Sequence, residues 1–233
     1  MNKIKIDKSI IIACDFDTIE TLEKIVKETK NREKLGGFKL GFELGLKYGL
    51  PKCVETIRKY SNKTIIYDHQ KSGTDVPFTG EKFAQVCKEA GVDYVIHFPQ
   101  AGPETEKAWI KASQDAGLGV IIGGEMTHPG YLENEGGFLR DDAPRRMYEI
   151  AVEMGVTEFV VPGNKPEKIK MYREFFESKG IEPVLYSPGL VSQGGKISDS
   201  GEAAGKKWHA IVGRAVYQAE NASNAIDELG KEL

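Results

Sequence analysis

Short apolar runs alternate with longer amphipathic stretches from one end of the chain to the other. The runs fall at residues 9–15, 37–41, 64–67, 94–97, 119–123, 158–161, 183–186 and 210–212. They are rich in Ile, Val, Phe and Tyr and often end in Gly, Asp or Pro, as strands do. Between them the spacing predicts helices. "TIETLEKIVKE" sets Ile19, Leu22, Ile25 and Val26 on one face, and "GEKFAQVCKEAG" does the same with Phe83, Val86 and Cys87. Gly91, Gly117, Gly155 and Gly180 mark helix ends. The strands are too apolar to face water on either side, which predicts a parallel sheet with helices over it. Eight β units close naturally into a (β/α)8 TIM barrel, the α/β fold expected here. An open sheet of six or seven strands also satisfies the pattern if two runs are core helix. No Pro/Gly/Ser-rich linker or low-complexity tract divides the chain, so residues 1–233 read as a single domain.

Composition narrows the function classes. The chain has 233 residues, 40% hydrophobic and 29% charged, with a net charge of −3. That leaves ample apolar material for a core, and no basic run that would favour a nucleic-acid partner. No stretch reaches the ~18 apolar residues of a membrane span, and "MNKIKIDKS" lacks the apolar region of a signal peptide. Cys14, Cys53 and Cys87 are isolated and odd in number, which reads as reduced cysteines of a cytoplasmic protein.

Barrel sites lie where strands end, so the polar residues just after each run are the candidates. They are Asp15, Lys39, Asp68 with Lys71 and Asp75, His97, residues 125–128, residues 188–193, and Gly213 with Arg214. This is more charge than a rim needs, and it suits an anionic ligand. "SPGLVSQGG" (187–195) and "IVGRAVY" (211–217) follow the last two runs. Glycine-rich backbone approaches an anion closely, Arg214 supplies a guanidinium, and barrels often bind phosphate at strands 7 and 8. Lys39 interrupts an apolar strand. If Phe38 and Leu40 face the helices, Lys39 faces the mouth, where Asp15 or Asp68 can pair with it; the plainer alternative is a strand-end lysine reaching solvent. His97 and His128 read as structural. No His-rich metal pattern occurs, and the lysine between Asp68 and Asp75 repels a cation, so no metal is expected.

Lys39, the Asp68/Lys71/Asp75 cluster, "EMTHPG", "SPGLVSQGG" and "IVGRAVY" occur in an order that resembles the orotidine 5′-monophosphate decarboxylase family over essentially the whole chain. The resemblance implies a homodimeric barrel that converts orotidine 5′-monophosphate to uridine 5′-monophosphate and CO2 in pyrimidine biosynthesis, without cofactor or metal. It implies that Asp15 binds ribose, that Lys39 holds Asp68, and that Asp68 sits against the substrate carboxylate. Lys71 then protonates C6, and Asp75 is supplied by the partner subunit. Thr127 and Gln193 read the pyrimidine, Gln193, Gly213 and Arg214 hold the phosphate, and Thr79 and Pro188 complete the substrate contacts. Thr127 stands where the family usually has serine.

One departure concerns "YDHQKSGTDVP" (67–77). The family's spacing is D-x-K-x-x-D, whereas this chain has one extra residue on each side of the lysine. Residues three apart on a strand point opposite ways. Two geometries restore convergence: a bulge around His69 and Gln70, or a strand that ends at Asp68 followed by a turn using Gly73. Two other readings are a magnesium-dependent sugar-phosphate decarboxylase or lyase of the keto-gulonate phosphate or hexulose phosphate kind, and a non-catalytic phosphate-ligand barrel. The first carries an acid where this chain has Lys39.

Overall fold

A computed structural model describes residues 4–69 and 74–233. Eight parallel strands close on themselves in sequence order: β1 (Lys8–Cys14), β2 (Leu35–Leu40), β3 (Thr64–Asp68), β4 (Tyr94–His97), β5 (Gly119–Gly123), β6 (Glu158–Val160), β7 (Val184–Ser187) and β8 (Trp208–Val212). β8 pairs back onto β1 with Ile11 opposite Ile211, so the open-sheet alternative falls. The protein is a (β/α)8 barrel. Helices cover it as α1 (Ile19–Thr29), α2 (Phe42–Tyr48), α3 (Leu50–Arg58), α4 (Gly80–Ala90), α5 (Pro103–Asp115), α6 (Ala143–Glu153), α7 (Pro166–Ser178), α8 (Ile197–Ala204), α9 (Arg214–Tyr217) and α10 (Ala222–Gly230). Among the described residues no helix is long and apolar enough to cross a membrane.

The strand period of two divides the core into two layers. Ile10, Ile12 and Cys14 of β1, with Phe38 and Leu40 of β2, pack outward against helix residues such as Leu22, Val26 and Leu44. Ile11, Ala13, Ile66, Tyr94, Ile96, Ile121, Tyr186 and Ile211 fill the barrel itself. The interior aromatics need room. A Cβ on Gly123 would stand 2.1 Å from the Phe98 ring, so only glycine fits beneath it.

Three strands begin earlier than the apolar pattern predicts, β1 by a single residue at Lys8. β2 starts at Leu35 because Gly36 and Gly37 let Ser9 and the Thr64 carbonyl approach closely, and glycine is discounted in a sequence-based strand. β8 starts at Trp208, which pairs with Lys8. On α1 the expected face is the buried one: Leu22, Ile25 and Val26 are in the core, and Thr18 caps the helix by accepting from the Thr21 N–H. On α4 the expectation for Val86 is wrong. Ala84 and Cys87 form the buried stripe with Phe83 packed at its margin, and Val86, rotated off it, is exposed. All three cysteines are free and buried.

Candidate active site

The inward face of each strand continues past its last ladder residue, and this builds the mouth. Asp15 lies two residues beyond Ala13 and Asp68 two beyond Ile66. Gly213 lies two beyond Ile211, so all three project on the interior side. Lys39 alternates with the outward Phe38 and Leu40, and pairs in register with Ala13 on one side and Ile66 on the other. Its ammonium stands 3.3 Å from Asp68 Oδ2 and 3.4 Å from Asp15 Oδ1.

Burial separates the two acids. The side chains of Lys39 and Asp68 are 4% and 2% exposed, whereas Asp15 is 37% exposed at the rim. Burial works against the Lys39 ammonium, but the Asp68 and then the Asp15 carboxylates outweigh it and hold its pKa above the ordinary lysine value. A buried lysine kept charged by two carboxylates is a fixed electrostatic element rather than a proton donor. It does not snorkel to solvent.

Above it opens a cavity of about 210 Å³ lined by Asp15, Lys39, Pro188, Gln193, Gly213 and Arg214. Its wall is the segment that follows β7. Gly189 takes a left-handed φ of +91°, and a Cβ there would meet Thr127 Cγ2 at 2.6 Å, so glycine lets this segment close on the loop after β5. Thr127 Oγ1 donates to Gln193 Oε1 at 3.2 Å, across 66 residues of sequence. The Arg214 guanidinium reaches the Ser192 carbonyl at 3.5 Å and is otherwise exposed at the rim.

Not every expected residue lies here. Asp75 is exposed and lines a separate hollow with Thr74, Pro77 and Thr105. Thr79 ends a 3-10 turn (Pro77–Thr79) and donates to the Val76 carbonyl. Neither residue lines the mouth cavity of its own chain. Gln70, Lys71 and Gly73 lie outside the described residues; β3 ends at Asp68, with His69 beyond it in no regular element. His97 is buried, shares a hydrogen bond with Ser113 Oγ at 3.0 Å, and is pushed down to about 3 by burial. His128 is exposed and stacks edgewise on Tyr131.

The rim residues read from the sequence leave out the loop after β6, and the structure puts two polar residues of that loop to use. Asn164 Nδ2 donates to the Thr127 carbonyl at 3.0 Å, and Lys165 pairs at 3.1 Å with the fully buried carboxylate of Glu125. Tyr172 donates to the same carboxylate, and Lys168 stands 3.6 Å from it. A sequence signal existed, because the "PGN" turn directly follows an apolar run.

A family model described as "Orotidine 5'-phosphate decarboxylase / HUMPS family" matches residues 8–229. The chain is 32% identical to the orotidine 5′-phosphate decarboxylase of Methanosarcina mazei, over 96% of this chain and 94% of that one. It is 31% identical to the orotidine 5′-phosphate decarboxylase of Methanocaldococcus jannaschii, over 91% and 92% of the two chains. A crystal structure of orotidine 5′-monophosphate decarboxylase from Methanocaldococcus jannaschii, complexed with the inhibitor BMP, superposes with a TM-score of 0.84 at 28% identity, covering 97% of this chain and 98% of that one. A match spanning nearly every strand and helix, on a barrel whose charged mouth adjoins a glycine-walled cavity, settles kinship: the chain belongs to the orotidine 5′-phosphate decarboxylase / HUMPS family.

Proposed function

We propose that this chain decarboxylates orotidine 5′-monophosphate to uridine 5′-monophosphate, a carboxy-lyase step of pyrimidine biosynthesis. The observation that carries the reading is the Asp15–Lys39–Asp68 array, with Lys39 and Asp68 buried and Asp15 at the rim, set beneath a cavity whose far wall holds Gln193, Gly213 and Arg214. In the reaction the bond from C6 to the carboxylate breaks, CO2 leaves, and the electron pair stays on C6. No ring position accepts that pair by resonance, so the protein's field must stabilise it. Asp68, held rigid by Lys39, lies where the substrate carboxylate is repelled. That repulsion vanishes as CO2 departs, so the array favours the transition state over the bound substrate. How far such ground-state repulsion counts is set by how completely water is excluded.

Lys71, three residues beyond Asp68, is the proton donor to C6 and recovers its proton from solvent. Asp15 binds the ribose hydroxyls, Thr127 and Gln193 read the pyrimidine, and Gln193, Gly213 and Arg214 hold the phosphate with Pro188 beside them. The glycine-rich wall suits a phosphate because backbone N–H groups approach it without hindrance. Asp75 and Thr79 act in the neighbouring subunit of a two-fold dimer. The position of Asp75, outside its own chain's mouth cavity, supports this. So do the exposed apolar side chains of Val76 and Phe78, which follow it in the chain.

The test uses two variants, Lys71→Ala and Asp75→Asn, assayed for CO2 release from orotidine 5′-monophosphate with a chelator present. Each alone is expected to be inactive. Refolded together, random pairing makes about half the dimers mixed, each with one intact site, so activity returns to roughly a quarter of wild type. Failure of the mixture to recover would place Asp75 in its own chain's site. Wild-type turnover abolished by the chelator would instead favour the metal-dependent sugar-phosphate chemistry found on related barrels.

A further inference from the structure

The loop after β6 touches both loops that the proposed function assigns to the nucleotide. On one side Gly163 N–H donates to the Pro188 carbonyl at 2.8 Å, and Ser200 Oγ of α8 donates to the Gly163 carbonyl at 2.6 Å, which ties the loop to the cavity wall. On the other side Asn164 Nδ2 donates to the Thr127 carbonyl at 3.0 Å. The next residue, Lys165, pairs with Glu125, two residues before Thr127. Thr127 therefore hangs between an ion pair behind it and an amide donor beneath it, with its hydroxyl directed to Gln193 Oε1.

Asn164 is well suited to this work. Its Oδ1 is buried and meets no hydrogen-bond partner among the described residues, so only its amino end is anchored and the amide has one sensible orientation. The backbone around it is crowded. A Cβ on Gly195 would stand 3.1 Å from Asn164 Cα and 2.7 Å from the Gly163 carbonyl, so glycine lets the loop pack directly against the cavity wall. With the backbone pinned on that side, the Asn164 side chain sets how far Thr127 extends over the mouth.

We infer that Asn164 is a positioning residue for base recognition: it fixes Thr127 so that the threonine hydroxyl and Gln193 present one joined donor–acceptor edge to the pyrimidine. This rests on the assignment of Thr127 and Gln193 to the base. It predicts that Asn164 acts on the pyrimidine half of the ligand and not on the phosphate half, although it neighbours both loops.

Calorimetric titration of uridine 5′-monophosphate and of ribose 5-phosphate separates the halves. Asn164→Ala is expected to weaken uridine 5′-monophosphate about fivefold, the worth of one neutral hydrogen bond, and to leave ribose 5-phosphate within about twofold. Asn164→Asp keeps the shape but turns an acceptor toward the Thr127 carbonyl, and should weaken the nucleotide at least as much. In a Thr127→Ala background, Asn164→Ala should cost nothing more, because the group it positions is gone. Equal weakening of both ligands, additive losses in the double variant, or a wild-type-like Asn164→Asp would each overturn the positioning role. Wild-type protein that binds ribose 5-phosphate as tightly as the nucleotide would overturn the base-reading assignment beneath it, an outcome visible before any variant is made.

Discussion

At the mouth of the barrel a buried lysine stands between Asp68 and Asp15, and a cavity opens directly above it. Deeper in the same interior, at the first residue of β6, another buried acid is held quite differently. Glu158 Oε1 accepts from Tyr94 Oη at 3.0 Å and Oε2 accepts from Tyr186 Oη at 2.6 Å. His209 lies alongside with its ring 4.9 Å from that of Tyr186, sharing a hydrogen bond with Ser9 Oγ at 2.8 Å. Around that acid Ser9, Tyr94, Tyr186 and His209 have no measurable exposure, and none of them lines the cavity at the mouth. The strands contribute the same alternation at both ends, but only the C-terminal end meets loops that leave space. Charge beside a cavity is arranged to act on a ligand, whereas the acid at the far end accepts from two tyrosine hydroxyls beneath a packed layer and serves the fold.

The largest expected difference comes from removing the lysine. Lys39→Ala leaves Asp68 buried with a like charge nearby, so decarboxylation should fall by a factor on the order of a thousand or more. Stability should drop by about 3 kcal/mol, the usual cost of stripping one partner from a buried pair. Steady-state assay together with urea unfolding checks both. Retained activity within tenfold would show that the mouth array is as purely structural as the lower one.

A smaller effect, on stability alone, is expected below. Glu158→Gln keeps the volume but replaces one acceptor by a donor, so one tyrosine hydroxyl loses its partner at a cost of about 2 kcal/mol. Urea unfolding should register it, while kcat and KM of the folded enzyme stay within twofold. A kcat loss without a stability loss would mean that the lower cluster communicates with the mouth.

Acid should act on the lower cluster more gently. Burial pushes His209 down from the ordinary 6.5 to about 3. Between those values the unfolded chain binds the proton and the folded one does not, so stability is fully present above about pH 6.5 and declines as the pH falls. The slope is at most about 1.4 kcal/mol per pH unit for this group. His97, also pushed down to about 3 by burial, adds a second slope of the same sign. His209→Gln should flatten the pH dependence of the unfolding free energy by one proton between pH 6.5 and 5. An unchanged slope would show that His209 is not buried neutral.

Much of the fold was legible because its causes are local. A period of two in each apolar run, and an i, i+3, i+4 stripe such as Leu22, Ile25 and Val26, express themselves without reference to the rest of the chain. The exception on α4 is instructive: Val86 is apolar but sits off the stripe of Ala84 and Cys87, so hydrophobicity without angular position misleads. Lys39 was legible in part for the same local reason: it faces inward if Phe38 and Leu40 face the helices, and their place in the outer core decides that they do.

The existence of the strands, their alternation of faces, and the glycines that shape the cavity wall follow from the chain's own pattern, because backbone alternation and the missing Cβ act over a few residues. Closure of β8 on β1 does not. It brings Arg214 and Gly213 beside Asp15, some 200 residues away in sequence, and no local preference encodes that distance. The same holds for Asn164 under Thr127, Glu125 between Lys165 and Tyr172, and Glu158 beneath two tyrosines, each joined across 28 to 64 residues. Such partners are chosen by the packing of whole strands and helices around one interior, where a buried polar group costs too much to leave unmet and takes whichever donor the closed barrel brings to it.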